Sequence, residues 1–504
     1  MSTSFRNGWV AVAASPGDLQ TLREGVFLRD RCVAVELRLD LWAQPLALPA
    51  IEDCDVPVIV TVRRAPHLND HARQRFLREA MQRVGSEDTS LTNVWFDLDV
   101  DDPVDRGLLN EHRVARACQV IGSSHKYSPV SDSTIRGTVD EIASLGCAAA
   151  KVVLAEDGVA AIRQALRLGS DYRTAPMSVS VTAAGDAGVS SRVLSVQRDQ
   201  GWSYSRVPGS AGSAAGQPPL ARLGEWWGTR SDLLYGVVGA DVADSISPPF
   251  HNEVLARHGA PGTFLSFPLL DPTELLSEAP ELTLDGLAVT TPHKEWARAA
   301  ARPATAADAT YRSFNTLWRD AGGSWVGTNT DASGAIELLA SAGLRVGETV
   351  ALLGAGGAAL GIAEGLRQRG FEVLFVARSS AARASAVAAV AGAAAVATLA
   401  GDAEVAAVIN ATGSSLPEAL LSGSRLPAST RVALELSYRP MRTEFASVGE
   451  AAGCRVIDGV EFFAAQARQQ VRALYGADLT IGDAAVLARH AVGLLGDDQG
   501  ASTA

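Results

Sequence analysis

Three things are scarce in this sequence, and each scarcity excludes a class of protein. The five cysteines, Cys32, Cys54, Cys118, Cys147 and Cys454, are odd in number, scattered and without a CxxC pair. That spacing suggests neither a disulfide framework nor a zinc site, so they read as reduced core thiols and no metal is expected. No apolar run approaches a membrane span, and the opening MSTSFRNGWVAVAAS has no basic-then-apolar leader. The expectation is a cytoplasmic protein, or an organellar one without its targeting peptide. A basic excess is also missing: the net charge of -12 argues against nucleic acid or an anionic membrane as partner. Anionic small molecules need only a local basic pocket.

The composition that remains, 47% hydrophobic and 20% charged over 504 residues, is that of a soluble globular chain with two to four domains. In the first half, apolar runs at residues 9–13, 32–40, 58–63, 94–98, 119–125, 149–154, 177–181 and 193–196 alternate with helical segments. Eight such runs suggest a (β/α)8 barrel, although an open sheet gives the same periodicity. Residues 201–217, rich in Gly, Ser and Ala, read as a mobile loop over the last strands, and residues 220–227 as a closing helix.

The charges inside these runs are informative. Glu36 and Arg38 alternate with Val35, Leu37 and Leu39, so both point to one face, which in a barrel is the interior. Arg63, His125 and Lys151 also sit within or at the ends of apolar runs. Two readings fit. One is a structural ion-pair network. The other is a Schiff-base lysine: with alanines before it and Val152, Val153 and Leu154 after it, Lys151 is poorly solvated, which favours the neutral, nucleophilic amine. His125 would then move a proton.

In the second half, the strand run at residues 350–353 ends in Gly354 and opens into an apolar helix. Gly354 serves the tight turn, Gly356 the close approach of backbone to a pyrophosphate, and Ala359 the contact between helix and strand. After the next strand, residues 371–376, an NAD enzyme would place an acid for the ribose hydroxyl. Here Ala377, Arg378, Ser379 and Ser380 follow, and a guanidinium with hydroxyls suits a 2′-phosphate, so NADP is the expected cofactor. Arg383 is a further candidate for that phosphate.

Polar residues gather at other segment ends. Ser245 and Ser247 alternate on what reads as an extended segment, or Ser247-Pro248 starts a helix. Lys294 follows a strand and a proline turn, as a surface lysine or a functional one. Asp331 offers a carboxylate beside the glycine cradle, or caps the helix at residues 332–341.

Taken together, the motifs resemble two families. Glu36-Leu37-Arg38-Leu39-Asp40, Ser123-Ser124-His125, Lys151, the run at residues 185–192 and that at 213–217 resemble the ordered motifs of type I 3-dehydroquinate dehydratase across the first half. The resemblance implies that Lys151 forms an imine with the C3 ketone, and that His125 removes the C2 proton and assists loss of the C1 hydroxyl. It implies that Arg192, Ser213 and Gln217 hold the carboxylate and ring hydroxyls, with Glu36, Arg38 and Arg63 lining the pocket. One departure matters. The family usually has a glutamate and two glycines shortly after the arginine matching Arg63, whereas this chain reads Arg64-Ala65-Pro66-His67-Leu68-Asn69. Either His67 substitutes or the site is weakened.

The second half resembles shikimate dehydrogenase through Ser245-x-Ser247-Pro248, Thr290-x-Pro292-x-Lys294, Asn315-Thr316-Leu317, Asn329-Thr330-Asp331, residues 354–358, Asn410-Ala411-Thr412 and Gln466-Ala467. Asp241 and Asp244 replace the usual proline and histidine before the serine pair. The resemblance implies that Lys294 and Asp331 are the catalytic pair, and that Ser245, Ser247, Thr290, Asn315, Tyr438 and Gln466 contact the ring. Gly354, Ala355, Gly356, Gly357, Ala358, Arg378, Ser379, Asn410, Thr412 and Gly459 would face the cofactor. Two serines favour shikimate over the bulkier quinate.

The expectation is therefore a (β/α)8 barrel over residues 1–228, then an α/β substrate domain at 229–331, completed by 458–497, and a Rossmann-type NADP-binding domain at 332–457. Such a chain would dehydrate 3-dehydroquinate and reduce the resulting 3-dehydroshikimate to shikimate. The rival readings are a quinate or shikimate dehydrogenase with an impaired barrel, and a non-catalytic metabolite sensor. Oligomeric state is not legible.

Overall fold

The computed structural model describes residues 7–24, 32–42, 56–84, 93–115, 118–155, 158–185, 188–223, 233–277 and 279–499. The chain divides into two compact units, Met1–Arg230 with Ser266–Thr283 and Leu494–Ala504, and Ser231–Leu265 with Leu284–Gly493.

The first unit holds a parallel sheet of β1 (Gly8–Ala13), β2 (Cys32–Arg38), β3 (Val58–Thr61), β4 (Val94–Asp99), β5 (Gln119–His125), β6 (Ala149–Leu154), β7 (Ser178–Ala183) and β8 (Trp202–Arg206). Each strand from β1 to β7 lies beside its neighbour in sequence, and β8 returns to pair with β1. The seam between β7 and β8 is bridged by a side chain, Ser180 Oγ donating to Trp202 O at 2.5 Å. Around it run α1 (Pro16–Glu24), α2 (Asp70–Val84), α3 (Pro103–Ala115), α4 (Asp132–Ser144), α5 (Gly158–Tyr172) and α6 (Gly188–Gln197). This is the expected eight-stranded, near-closed barrel.

Strand periodicity builds its interior. Val10, Ala34, Ile59, Trp95, Ile121, Ala149 and Trp202 form one apolar cluster. Two residues further along the same strands come Glu36, Thr61, Asp97, Ser123, Lys151 and Tyr204, all buried. Successive side chains of a strand alternate faces, so these polar groups point inward one step nearer the carboxyl ends.

Two expectations here are corrected. Residues 193–196 are not the eighth strand but part of α6, in which every residue from Ser190 to Val196 is buried. Apolarity without a polar face carries no period, so strand and helix could not be told apart. The real β8 lies inside the segment read as a loop, where Trp202 and Tyr204 alternate inward between serines. In the closing segment only the 3₁₀ turn Leu220–Arg222 is described, residues 224–227 lying outside the described residues.

The remainder of the chain forms two further sheets. Strands β9 (Leu234–Gly239), β10 (Thr263–Pro268), β11 (Gly286–Val289), β12 (Arg302–Pro303), β13 (Thr316–Arg319) and β14 (Trp325–Thr328) form a mixed sheet in the order β10-β9-β11-β13-β14-β12. Strands β15 (Thr349–Leu353), β16 (Glu372–Val376), β17 (Ala394–Val396), β18 (Ala407–Asn410), β19 (Val432–Glu435) and β20 (Arg455–Ile457) form a parallel sheet in the order β17-β16-β15-β18-β19-β20. That order is the doubly wound, Rossmann-type arrangement, whose ligands bind where the strand order reverses, here between β15 and β18.

Helices α7 (Ser247–Arg257), α8 (Lys294–Ala300), α9 (Thr330–Ser341), α10 (Gly357–Gln368), α11 (Ser380–Ala389), α12 (Glu444–Ala451), α13 (Gly459–Tyr475) and α14 (Ile481–Gln499) cover these sheets. The last runs to Gln499, and residues 500–504 lie outside the described residues. Among the described residues no helix is long and apolar enough to cross a membrane.

Candidate active sites

A cavity of about 460 Å³ opens at the carboxyl ends of the barrel strands, the usual site of chemistry on this fold. It is lined by all eight residues expected there: Glu36, Arg38, Arg63, His125, Lys151, Arg192, Ser213 and Gln217. Lys151, buried on β6, donates from Nζ to Asp97 Oδ2 at 2.5 Å, lies 4.0 Å from Glu36 Oε1, and sits 4.5 Å over the Tyr204 ring. Glu36 is itself fixed by Thr61 Oγ1 at 2.8 Å, and Arg38 is turned onto Asp40 by two hydrogen bonds.

Arg63 is the hub of the charges. It donates to Asp97 at 2.7 Å, to Ser123 Oγ at 2.8 Å and to Asp99 at 3.3 Å. Burial alone would raise the Asp97 pKa, but Arg63 and Lys151 outweigh it and hold the carboxyl well below its usual range. His125 Nδ1 lies 3.1 Å from Asp99 Oδ2. Its pKa is lowered, chiefly by burial, with Asp99 opposing the shift. Such an imidazole is neutral near pH 7 and able to accept a proton.

Arg192, 3% exposed, has a buried Nε without a hydrogen-bond partner. Burial pulls its pKa down to about 10. A buried cation with unspent donors at the wall of a cavity is a receptor for a carboxylate. Beside it Gln217 Oε1 accepts from Ser213 N at 2.9 Å, and its Nε2 donates to Ser213 Oγ at 3.1 Å, which shapes the covering loop. Asp97, Asp99 and Tyr204 are the members that reading the sequence missed. The signal was present: Asp97 and Asp99 follow Trp95 at steps of two, the period that exposed Glu36 and Arg38. His67, by contrast, is exposed and does not line the cavity.

The second unit has a cavity of about 330 Å³ lined by Ser245, Ser247, Thr290, Lys294, Asn315, Asp331, Tyr438 and Gln466. These too are all the residues expected. Lys294 Nζ donates to Asp331 Oδ2 at 2.6 Å, and Asn315 Nδ2 donates to Asp331 Oδ1 at 2.8 Å. Both carboxylate oxygens are thus engaged and the lysine is aimed. Asp331 does not cap its helix; Asn329 does, accepting from the backbone N–H of Asp331 and Ala332. The helix therefore begins at Thr330, and the aspartate is left free for the lysine.

Of the two readings of Ser245 and Ser247, the structure bears out the helix start at Ser247-Pro248. Ser247 opens α7, with proline at its start and Ile246 already in helical conformation, so the pair is not an extended strand. A proline is tolerated there because a first-turn N–H has no helical partner. Ser245 Oγ accepts from Ser247 N at 3.2 Å, which keeps the two hydroxyls together. Gln470, four residues after Gln466 on α13, also lines the cavity and was legible from that spacing.

Whether the nucleotide half suits a dinucleotide is tested at the end of β15. Gly354 has φ +99°, and a Cβ there would lie 3.2 Å from Ala411 O. Gly356 precedes α10 with no side-chain cap, and a Cβ on it would meet only open space. Uncapped helix N–H groups behind an open approach suit a phosphate. Ala359 is buried against the sheet as required, and Ala355, Gly357 and Ala358 complete the turn. Arg378 is exposed beyond β16, where an acid would stand in an NAD site. Ser379 caps α11.

Three expected cofactor residues do something else with their atoms. Asn410 spends its side chain on Ser414 O, Glu435 and Thr412, so it braces the loop that carries Thr412 instead of reaching outward. Gly459 packs against backbone, since a Cβ would lie 2.0 Å from Ser437 O. Arg383 donates to the carbonyls of Ala377 and Arg378, shaping their turn.

Fold and sites define an α/β enzyme chain with two separate lysine–carboxylate centres, one in a charged barrel mouth and one beside a nucleotide cradle. Residues 20–232 match the family model for type I 3-dehydroquinase, and residues 237–317 that for the shikimate dehydrogenase substrate binding domain. A shikimate dehydrogenase (NADP(+)) of Methylobacterium radiotolerans is 34% identical over 255 residues, covering 48% of this chain and 90% of the relative. One of Anaeromyxobacter dehalogenans is 37% identical over 251 residues, covering 47% and 89%. Among solved structures, Thermus thermophilus shikimate 5-dehydrogenase in complex with NADP(H) and shikimate is 28% identical with a TM-score of 0.45, covering 51% of this chain and 99% of that one. The dehydroquinate dehydratase and shikimate dehydrogenase from S. pombe AroM is 18% identical with a TM-score of 0.42, covering 97% and 99%. The chain belongs to the shikimate dehydrogenase family through its second half, and its residues 20–232 are similar to type I 3-dehydroquinase.

Proposed function

We propose that the two centres carry consecutive steps: Lys151 and His125 dehydrate 3-dehydroquinate, and Lys294 and Asp331 serve the reduction of the resulting 3-dehydroshikimate to shikimate. The chain is bifunctional, a type I dehydroquinase and an NADP-dependent shikimate dehydrogenase in one polypeptide. The observation that carries the assignment is the pair of buried lysines, each within hydrogen-bond reach of a buried carboxylate and each at the wall of its own cavity.

In the barrel, Lys151 gives up a proton to the Asp97 carboxylate and attacks the ketone carbon; the resulting carbinolamine loses the ketone oxygen as water, leaving an iminium that withdraws electrons from the adjacent carbon. His125 takes the C2 proton, and the electron pair moves into the iminium to give an enamine. Expulsion of the C1 hydroxyl, protonated by His125, regenerates the iminium, and water releases the product. Arg192 pairs with the substrate carboxylate through two parallel hydrogen bonds.

In the second unit, reduction needs a proton on oxygen and a hydride on carbon. Lys294 supplies the proton, and Asp331 with Asn315 keeps the ammonium aimed. NADPH, when bound, provides the hydride; Gly354 to Ala358 would hold its pyrophosphate, and Arg378 with Ser379 its 2′-phosphate. Ser245, Ser247, Thr290, Tyr438 and Gln466 orient the ring, and a site built of hydroxyl-directed donors rejects analogues that leave them unpaired. The modules we assign are a barrel at 1–228, a substrate domain at 229–331 completed by 458–497, and a cofactor domain at 332–457, acting in the cytoplasm.

Separate assays test this on the full chain. Purified protein is expected to form 3-dehydroshikimate from 3-dehydroquinate without nucleotide, and to oxidise shikimate with NADP. Absence of the first activity alongside the second would reject the assignment of the barrel.

A further inference from the structure

A histidine that accepts a proton at Nε2 must keep its own proton on Nδ1, and a neighbour has to hold it there. The segment in which the family usually carries a glutamate offers no acceptor for that proton: His67 is exposed and outside the cavity lining, and Arg64, which lines the cavity, is a cation paired with Asp70. We propose that Asp99 is the positioning residue that fixes His125 in its proton-accepting tautomer. The inference rests on the dehydratase reading of the barrel.

The geometry supports it at each contact. Asp99 Oδ2 lies 3.1 Å from His125 Nδ1, and an ionised carboxylate can only accept, so Nδ1 carries the proton and Nε2 the lone pair. Asp99 is ionised: burial would raise its pKa, but the hydrogen bond to His125 and the Arg63 charge outweigh that and lower it. The carboxylate is also immobilised. Asp99 N donates to Asp105 Oδ2 at 2.9 Å, Asp101 N donates to Asp99 Oδ1 at 2.9 Å, and Arg63 reaches Asp99 Oδ2 at 3.3 Å. The same guanidinium grips Asp97, the partner of Lys151. One arginine therefore ties together the carboxylate of the nucleophile and the carboxylate of the base. When the C2 proton moves to Nε2, the imidazolium forms against Asp99, and the substrate electron pair goes into the iminium. When the C1–O bond breaks, that proton leaves with the hydroxyl as water, and the neutral tautomer is restored.

Asp99→Asn in the full chain tests this. The amide keeps the shape but permits the opposite tautomer, so kcat for dehydration is expected to fall by about 10²-fold or more while KM stays within about threefold. Borohydride with 3-dehydroquinate is still expected to leave a reduced adduct on Lys151, and Asp99→Glu to recover most of the lost kcat. The acid limb of kcat is expected to move to lower pH, because the charges facing His125 would then be Arg63 and Lys151 without the opposing Asp99. His67→Ala is expected to leave kcat unchanged. Wild-type kcat and acid limb in Asp99→Asn would overturn the proposal. So would loss of the adduct together with turnover and no recovery in Asp99→Glu, which marks a merely structural role. A wild-type chain that forms no adduct would sink the dehydratase reading, and this inference with it.

Discussion

The two centres start from the same element, a buried lysine 2.5 or 2.6 Å from a buried carboxylate, and differ in everything around it. In the barrel, Lys151 sits among Glu36, Arg63, Asp99, His125 and Arg192. A histidine lines the same cavity, which suits the nucleophilic role proposed for the lysine. In the second unit, the pair Lys294–Asp331 is surrounded by the neutral amides and hydroxyls of Asn315, Thr290, Gln466 and Ser245. Both oxygens of Asp331 are occupied, and a Cβ added to Gly357 of the cradle would lie 3.7 Å from the Lys294 side chain. That setting suits the proton-transfer role proposed for Lys294. The neighbours, and not the lysine–carboxylate pair, decide the chemistry.

The comparison breaks most sharply on single substitutions. Lys151→Ala is expected to cut dehydration by about 10³-fold or more and leave shikimate oxidation within about twofold. Lys294→Ala should do the reverse, costing about 10²- to 10⁴-fold in oxidation alone, as removal of a proton-transfer group does. Steady-state assays of both reactions on each variant check this, and loss of both activities in either variant would contradict it.

Smaller effects sharpen the contrast in binding. Arg192→Ala removes the buried receptor for the carboxylate, expected to cost about 2–5 kcal/mol in kcat/KM for 3-dehydroquinate. Arg378→Ala should raise KM for NADPH by about 10- to 100-fold and leave NADH kinetics nearly unchanged, the worth of a charged hydrogen bond to phosphate. Equal losses with both nucleotides would place the arginine elsewhere.

The smallest effect is in the pH profiles. His125 must be unprotonated to act, and burial lowers its pKa, so dehydration persists as pH falls until that lowered value is crossed. Its acid limb should lie below about 6.5, the ordinary imidazole value. A limb at or above that value would mean His125 is not the base.

How legible all this was depended on the physics of each signal. Strands β1 to β7, the glycine cradle and the alternation of Glu36 and Arg38 were marked by apolar runs, a period of two or a glycine turn, whereas Arg192, Ser213, Gln217, Thr290, Asn315, Tyr438 and Gln466 were legible only through the two family resemblances. What could not be read was what burial erases. In α6 every residue from Ser190 to Val196 is buried, so the helical period vanished and residues 193–196 passed for a strand. The true β8 was hidden by its serines. Asp97 and Asp99 obeyed the same alternation as Glu36, but that they pair with Lys151 and His125 is set by which strands neighbour in the barrel, a long-range fact. The cap at Asn329 shows the converse, since two residues in one turn competed for one role and only the coordinates choose.

Mass spectrometry after borohydride treatment with 3-dehydroquinate tests most directly that two similar lysines do different chemistry. The account predicts a reduced substrate adduct on Lys151 and none on Lys294. An adduct on Lys294, or no adduct at Lys151, would contradict it.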